Sequence, residues 1–120
     1  MATSKEFHDY IVECLSKAGN VTTRRMMGEY CVYFRGKLIG DICDNRFLVK
    51  RTAAAERLLA GCALEYPYEG SRTLMYVVEE PENTDRMREL LEGLYAELPD
   101  RKQRLSGDGA LKAPSLKEEE

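Results

Sequence analysis

Residues 24–50 read RRMMGEYCVYFRGKLIGDICDNRFLVK, and the pattern of this segment indicates the architecture of the chain. Apolar, aromatic and β-branched residues alternate there with polar ones, which is typical of half-buried strands. We predict three strands, at residues 26–34, 38–43 and 46–50. Two short segments with the residue types of tight hairpin turns join them, Arg35-Gly36-Lys37 and Asp44-Asn45. Gly28 interrupts the first strand and predicts a β-bulge at which the chain changes direction.

On either side of this stretch, apolar residues recur with the spacing of helices. The stripes predict helices at residues 4–18, 53–60 and 83–98. Thr3 and Glu6 have the spacing of a capping box for the first helix. Pro99 ends the third helix, because proline cannot continue one.

Two more strands are predicted at residues 63–66 and 74–79, which gives the order α-β-β-β-α-β-β-α. The short loops force neighbouring strands to run antiparallel, because a parallel return needs a long crossover. The sequence therefore predicts an α+β fold in two layers. One layer is a five-stranded, mainly antiparallel sheet, and the first and third helices lie across its apolar face.

The 120-residue chain has room for one hydrophobic core, which we place in a domain at residues 1–99. Residues 100–120 lack an apolar period and are predicted to form a disordered polar tail. No apolar run approaches the length of a membrane span, and the first residues lack the apolar core of a signal peptide. We therefore expect a cytoplasmic protein that has no membrane partner.

No two of the four cysteines have the C-x-x-C spacing, so neither a zinc site nor a redox pair is indicated. The predicted hairpin places Cys31 opposite Asp41 and diagonal to Cys43. Diagonal positions lie about 7–8 Å apart, beyond the reach of a disulfide. We expect all four cysteines to be reduced thiols that act as small core residues.

The sequence contains no recognisable catalytic motif and no phosphate-cradling glycine loop. His8 is the only histidine, and we expect it on the solvated flank of the first helix. Glu29 and Asp41 approach each other across the hairpin, as pairs of catalytic carboxylates do. Carboxylates on adjacent strands are common, however, and nothing in the sequence nearby indicates a raised pKa. We predict a protein that is not an enzyme and carries no cofactor or metal.

Charge is unevenly distributed along the chain. Residues 24–57 contain eight basic and four acidic residues, whereas residues 65–97 contain three basic and nine acidic residues. Arg, Met and Tyr are enriched at protein interfaces, and the basic region is rich in all three. We predict a contact surface made of Arg24, Arg25, Met26, Met27, Glu29, Tyr30, Arg35 and Lys37. Strand alternation places Met26 and Met27 on opposite faces of the strand. We expect both side chains to fill the core, which is the simpler interpretation.

A series of short motifs occurs in a fixed order: Arg24-x-Met26-Met27-Gly28-Glu29-Tyr30, Tyr33, Gly36-Lys37, Asp44-Asn45-Arg46, Val49-Lys50, Tyr66-Pro67-Tyr68-Glu69-Gly70 and the helix through Leu98-Pro99. Their order and spacing resemble the N-terminal domain of the TfoX/Sxy competence-regulator family over residues 7–102. The resemblance implies a two-layer fold like that of secretion chaperones. Many members have Phe at position 27 and Gly at position 29, so this chain resembles a stand-alone Met-Gly-Glu variant. The two-domain regulators continue into a second helical domain, whereas we expect this chain to end in a short polar tail.

Two functions follow as hypotheses. The first is a non-enzymatic regulatory or adaptor module of the cytoplasm that contacts a protein partner or a second copy in a homodimer. The alternative is a nucleic-acid-associated transcription or competence regulator that uses Arg24 and Arg25. The net charge of −3 and the acidic flank disfavour the alternative, because DNA binding depends on multiple phosphate contacts.

Overall fold

A computed structural model describes residues 3–99 and shows three helices and one antiparallel sheet. The helices are α1 (Lys5–Ser16), α2 (Ala53–Leu58) and α3 (Thr84–Glu97). The strands are β1 (Val21–Met26), β2 (Glu29–Phe34), β3 (Lys37–Cys43), β4 (Arg46–Val49), β5 (Leu64–Glu65) and β6 (Met75–Val77). They form a six-stranded sheet in the order β1-β2-β3-β4-β6-β5. The predicted α+β class is confirmed, and β1 is an additional strand.

The main core lies between the helices and one face of the sheet. Ile11 and Leu15 of α1 and Leu90, Leu91 and Leu94 of α3 are buried there. The sheet contributes the side chains of alternate residues, among them Val32, Phe34, Ile42, Phe47 and Val49. A smaller cluster on the opposite face contains Cys43, Leu48 and Met75. Both faces of β4 are therefore buried, since Phe47, Leu48 and Val49 are all inaccessible to solvent.

The first helix begins one residue later than the predicted capping box requires. Ser4 is the N-cap, and its hydroxyl oxygen accepts a hydrogen bond from the Phe7 amide at 3.1 Å. The capping box of Thr3 and Glu6 was therefore wrong. The hydroxyl of Thr3 instead donates to Glu29 Oε1 at 2.9 Å, which ties the start of the chain to β2.

The predicted β-bulge at Gly28 was wrong, because the chain reverses there completely. Met26 pairs with Glu29, so Met27 and Gly28 form a two-residue turn between β1 and β2. Both have positive φ, 54° and 86°, as a type I′ turn requires at its two central positions. The bulge of this sheet lies instead between Val32 and Tyr33, where the β2–β3 register shifts.

The same turn geometry recurs in the next two hairpins. Arg35 and Gly36 have φ of 52° and 86°, and Asp44 and Asn45 have φ of 53° and 57°. Asn, Asp and Gly are the residues that tolerate this conformation best. Three consecutive turns of one type explain why the first four strands form a regular meander.

Replacing Gly28 with valine is expected to lower the free energy of unfolding by about 1–2 kcal/mol, because a β-branched residue is strained at positive φ. Gly28→Asn is the matched control, since asparagine tolerates this conformation and should lose less stability. Urea unfolding of the three proteins measures the difference. Equal stability of the valine variant and the parent would contradict the assigned turn.

The other predicted features are placed as follows. All four cysteines lie in the described part of the chain, and none of them forms a disulfide. Cys14 and Cys43 are buried, whereas Cys31 and Cys62 are only half-buried, so the expectation that all four are core residues was wrong for these two. Within residues 3–99, no helix is long and apolar enough to cross a bilayer. The predicted tail at residues 100–120 lies outside the described residues.

Candidate protein-interaction surface

The structure separates the predicted contact residues into two groups at opposite ends of β2. One group lies around the β1–β2 turn and contains Arg24, Arg25, Met26, Met27, Glu29 and Tyr30. The other contains Arg35 and Lys37 of the β2–β3 hairpin. At about 3.3 Å per residue, the six residues of β2 hold these turns roughly 17 Å apart. The eight residues therefore do not form one patch.

Arg35 is engaged with the third helix. Its guanidinium donates two hydrogen bonds to the carboxylate of Glu92, at 3.0 and 2.8 Å. The same group lies 4.6 Å from the ring centroid of Phe34 and 5.3 Å from that of Tyr95. Bidentate pairing and stacking on aromatic rings fix the side chain, so Arg35 fastens the hairpin to α3.

Lys37 closes the C-terminal end of the same helix. Its Nζ donates to the carbonyl oxygens of Tyr95 and Leu98, each at 2.7 Å. The last carbonyls of a helix have no partner within the helix and carry partial negative charge. A lysine that satisfies two of them stabilises the fold, and its ammonium is directed inward to the helix end.

Glu29 holds the start of the chain against a neighbouring turn. Its Oε1 accepts hydrogen bonds from the Thr3 hydroxyl at 2.9 Å and from the Asp44 amide at 3.1 Å. Asn45 completes the junction, because its side-chain oxygen accepts from the Ser4 amide at 2.9 Å. These contacts give Glu29 a structural role beside the predicted surface.

Tyr30 stacks on His8, with ring centroids 3.9 Å apart. His8 is also hydrogen-bonded through both nitrogens, to Asp9 Oδ1 and to the Thr23 hydroxyl, each at 2.9 Å. Only 16% of its side chain is exposed, so the expected solvated position was wrong. Periodicity within α1 did not reveal β1, the strand that His8 faces. His8 joins α1 to that strand.

The remaining four residues form the exposed end of the first hairpin, and we call Arg24, Arg25, Met26 and Met27 the hairpin surface. Met27 is 95% exposed and Met26 is 48% exposed. The expectation that both methionines fill the core was wrong, because Met27 is at the tip of a turn and Met26 is at the end of an edge strand. Among residues 3–99, neither arginine forms a salt bridge.

A groove of about 420 Å³ adjoins the hairpin surface. It is lined by Met26, Met27, Glu29, Tyr30, Cys31, Asp41, Cys43 and Tyr68. Tyr68 comes from the segment between β5 and β6, which Arg46 holds in place through the carbonyls of Tyr66 and Pro67. The groove therefore combines sulfur and aromatic side chains with two carboxyl groups.

Two groups in this groove, Asp41 and Cys43, have pKa values shifted towards their uncharged forms. Burial raises the pKa of Asp41, and the nearby charge of Glu29 adds to that effect, while the charge of Lys50 and a hydrogen bond from Cys31 oppose it. Burial also raises the pKa of the Cys43 thiol to about 12. A thiol with such a pKa is a poor nucleophile at neutral pH, so Cys43 is suited to packing more than to covalent chemistry.

Comparison with known proteins identifies the family. The model of the TfoX N-terminal domain matches residues 13–95, and the chain belongs to this family. The chain is also similar to a Spirochaeta aurantia protein described as an uncharacterized 12.7 kDa protein in the trpE 5′ region. The two are 32% identical over 99 residues, which cover 82% of this chain and 86% of the relative.

Four of the groove residues were outside the predicted contact set: Cys31, Asp41, Cys43 and Tyr68. Strand alternation alone places Cys31 and Asp41 on one face, since they are directly paired across β2 and β3. Tyr68 belongs to the Tyr66-Pro67-Tyr68-Glu69-Gly70 motif, but no strand pattern places it in the groove, because a loop residue is placed by its tertiary contacts.

Proposed function

We propose that the chain is a non-enzymatic regulatory or adaptor module of the cytoplasm that binds a protein partner through the hairpin surface. The observation that carries this proposal is the 95% exposure of Met27 at the tip of the first hairpin. A large apolar side chain gains about 25 cal/mol for each Å² that a partner removes from water. Methionine also adapts to partners of different shape.

The neighbouring residues support the same function. Met26 extends the apolar contact from the tip to the groove. Arg24 and Arg25 add two exposed guanidinium groups, which confer specificity for acidic partners. His8 is occupied in holding α1 against β1, and Cys43 is held as a thiol, so these two groups serve the fold.

Nucleic-acid binding through Arg24 and Arg25 is the second candidate, because both side chains are exposed and adjacent in sequence. Consecutive residues of a strand point to opposite faces, however, so the two guanidinium groups do not form a single phosphate-binding patch. Affinity for DNA grows with the number of phosphates contacted at once. This geometry favours the protein-binding function.

Charge reversal tests the choice. The double variant Arg24→Glu/Arg25→Glu should lose the proteins that the parent retains in affinity capture, while its free energy of unfolding changes by only about 0.5 kcal/mol or less. Arg57→Glu/Arg72→Glu is the matched control, because it makes the same charge change at two exposed positions elsewhere. Met27→Ser should weaken the same associations without a change in charge.

Two outcomes count against this function. Identical sets of captured proteins from the parent and both charge-reversed variants would show that the hairpin surface is not the contact site. Tight binding of a short DNA duplex near physiological salt, lost in Arg24→Glu/Arg25→Glu and retained in the control, would establish the nucleic-acid function instead.

A further inference from the structure

The strand that carries the two arginines is also an open edge of the sheet. β1 is the first strand of the order β1-β2-β3-β4-β6-β5 and pairs with β2 on one side. In the described part of the chain, the backbone hydrogen bonds found outside the regular helices and strands involve no residue of β1. Every second residue of such an edge directs its N–H and C=O groups outward, where they can pair with another strand.

The two edges of the sheet differ in length. β1 has six residues, whereas β5 at the other edge has two. Thr22, Arg24, Arg25 and Met26 are exposed along β1. A strand of six exposed or half-exposed residues is long enough to template an added strand, since strands of about five or six residues are the commonest in proteins.

The side chains of β1 define what an added strand must carry. Thr23 faces α1, because its hydroxyl contacts His8, and Arg25 shares that face by alternation. Arg24 and Met26 lie on the opposite face, where Met26 lines the groove. An added strand therefore meets one arginine on each face and an apolar groove beside Met26.

We propose that an extended acidic segment of a partner protein adds to β1 as a seventh strand. This inference rests on the proposed protein-binding function and names its mode. Two consecutive acidic residues of the segment pair with Arg25 and Arg24, one on each face of the sheet. An apolar residue next to the acidic pair lies opposite Met26, at the groove. Main-chain hydrogen bonds supply affinity in strand addition, and the side chains supply specificity.

Charge selects this partner over a second copy of the chain. Antiparallel pairing of β1 with β1 of another copy brings Arg24 and Arg25 close to the same two arginines, and like charges across a strand pair are destabilising. Exposed charges on an edge strand also discourage indiscriminate pairing. The same two residues that exclude basic or neutral edges attract an acidic one.

A synthetic peptide tests the proposal, Thr-Val-Leu-Glu-Glu-Leu-Val-Thr. Its order of residue types is the same read in either direction, so it offers the acidic pair and an adjacent leucine in both parallel and antiparallel pairing. We expect measurable binding to the full chain by NMR titration. Amide exchange should slow at alternate residues of β1, the pattern that only an added strand produces.

The role of charge is tested by changing the charged pair of the peptide and the two arginines of β1 in turn. The peptide with Gln-Gln in place of Glu-Glu should bind at least about fivefold more weakly, because two exposed ion pairs are removed. Arg24→Glu/Arg25→Glu should lose the acidic peptide and should instead bind a third peptide, with Lys-Lys in place of Glu-Glu, while Arg57→Glu/Arg72→Glu behaves like the parent. Failure of the acidic peptide to bind at millimolar concentration would overturn the proposal.

Strand addition is tested by N-methylation of alternate amides in the acidic peptide, with each of the two alternate sets methylated in a separate peptide. Methylation of the set whose amides face β1 should abolish binding. Methylation of the other set, whose amides face away from β1, should leave most of the binding. If neither set weakens binding while the charge dependence persists, strand addition is wrong and the hairpin surface remains the binding site. If lysate capture is unaffected by charge reversal, the proposed function itself fails.

Discussion

Replacing Gly40 with valine is expected to lower the free energy of unfolding by at least about 3 kcal/mol, which places it among the most damaging changes. Gly40 is in the middle of the meander, where β3 pairs with Val32 of β2 and with Val49 of β4. A β-carbon at this position would overlap the carbonyl oxygen of Leu48 and approach the Val49 Cα at 3.0 Å. Backbone atoms of a paired strand cannot move aside without breaking the ladder.

Gly70→Ala is the matched control for this variant. Gly70 has a φ of 92°, but open space surrounds the position that its β-carbon would occupy. Gly70→Ala should therefore lower the free energy of unfolding by only about 1 kcal/mol, from backbone strain alone. Urea unfolding of both variants separates close packing from strain. A valine at position 40 that lowers stability by no more than alanine at position 70 would contradict the close approach of β3 and β4.

Most of the fold follows from local patterns. The three helices come from apolar stripes, and the β3–β4 turn at Asp44-Asn45 comes from residues that tolerate positive φ. The strand β1 was missed because its first hairpin turn is Met27-Gly28, which lacks the Asn or Asp that usually marks a type I′ turn. The glycine alone was compatible with either a bulge or a turn.

The candidate site was harder to predict because it depends on which ends of the strands meet. Basic residues near in sequence were assigned to one surface, yet Arg35 is bound to Glu92 and Lys37 to the end of α3. Those partners lie more than fifty residues away along the chain. Only Arg24 and Arg25 remain available, and no local pattern distinguishes an arginine that will find an acidic neighbour from one that will not.

Replacing Arg46 with methionine is expected to lower the free energy of unfolding by about 2–3 kcal/mol, because hydrogen bonds from a charged group are lost. The guanidinium donates to Glu65 Oε1 at 2.7 Å, to the Tyr66 carbonyl at 3.1 Å and to the Pro67 carbonyl at 2.9 Å. The ion pair with Glu65 contributes little, since that carboxylate is half exposed. The carbonyl contacts dominate, because methionine leaves these acceptors without a donor.

The loss should be local, because Arg46 links β4 to the segment that carries Tyr68 to the groove. Amide exchange in residues 66–74 should accelerate by about tenfold or more in Arg46→Met, while the β2–β3 ladder keeps its protection. Glu65→Gln is the control, since it weakens the ion pair and leaves both carbonyl contacts in place. Unchanged exchange at residues 66–74 in Arg46→Met, or an equal acceleration in Glu65→Gln, would show that the carbonyl contacts do not hold this segment. Since Tyr68 lines one wall of the groove, the same variant should also weaken binding of any ligand that uses the groove, while contacts confined to the β1 edge persist.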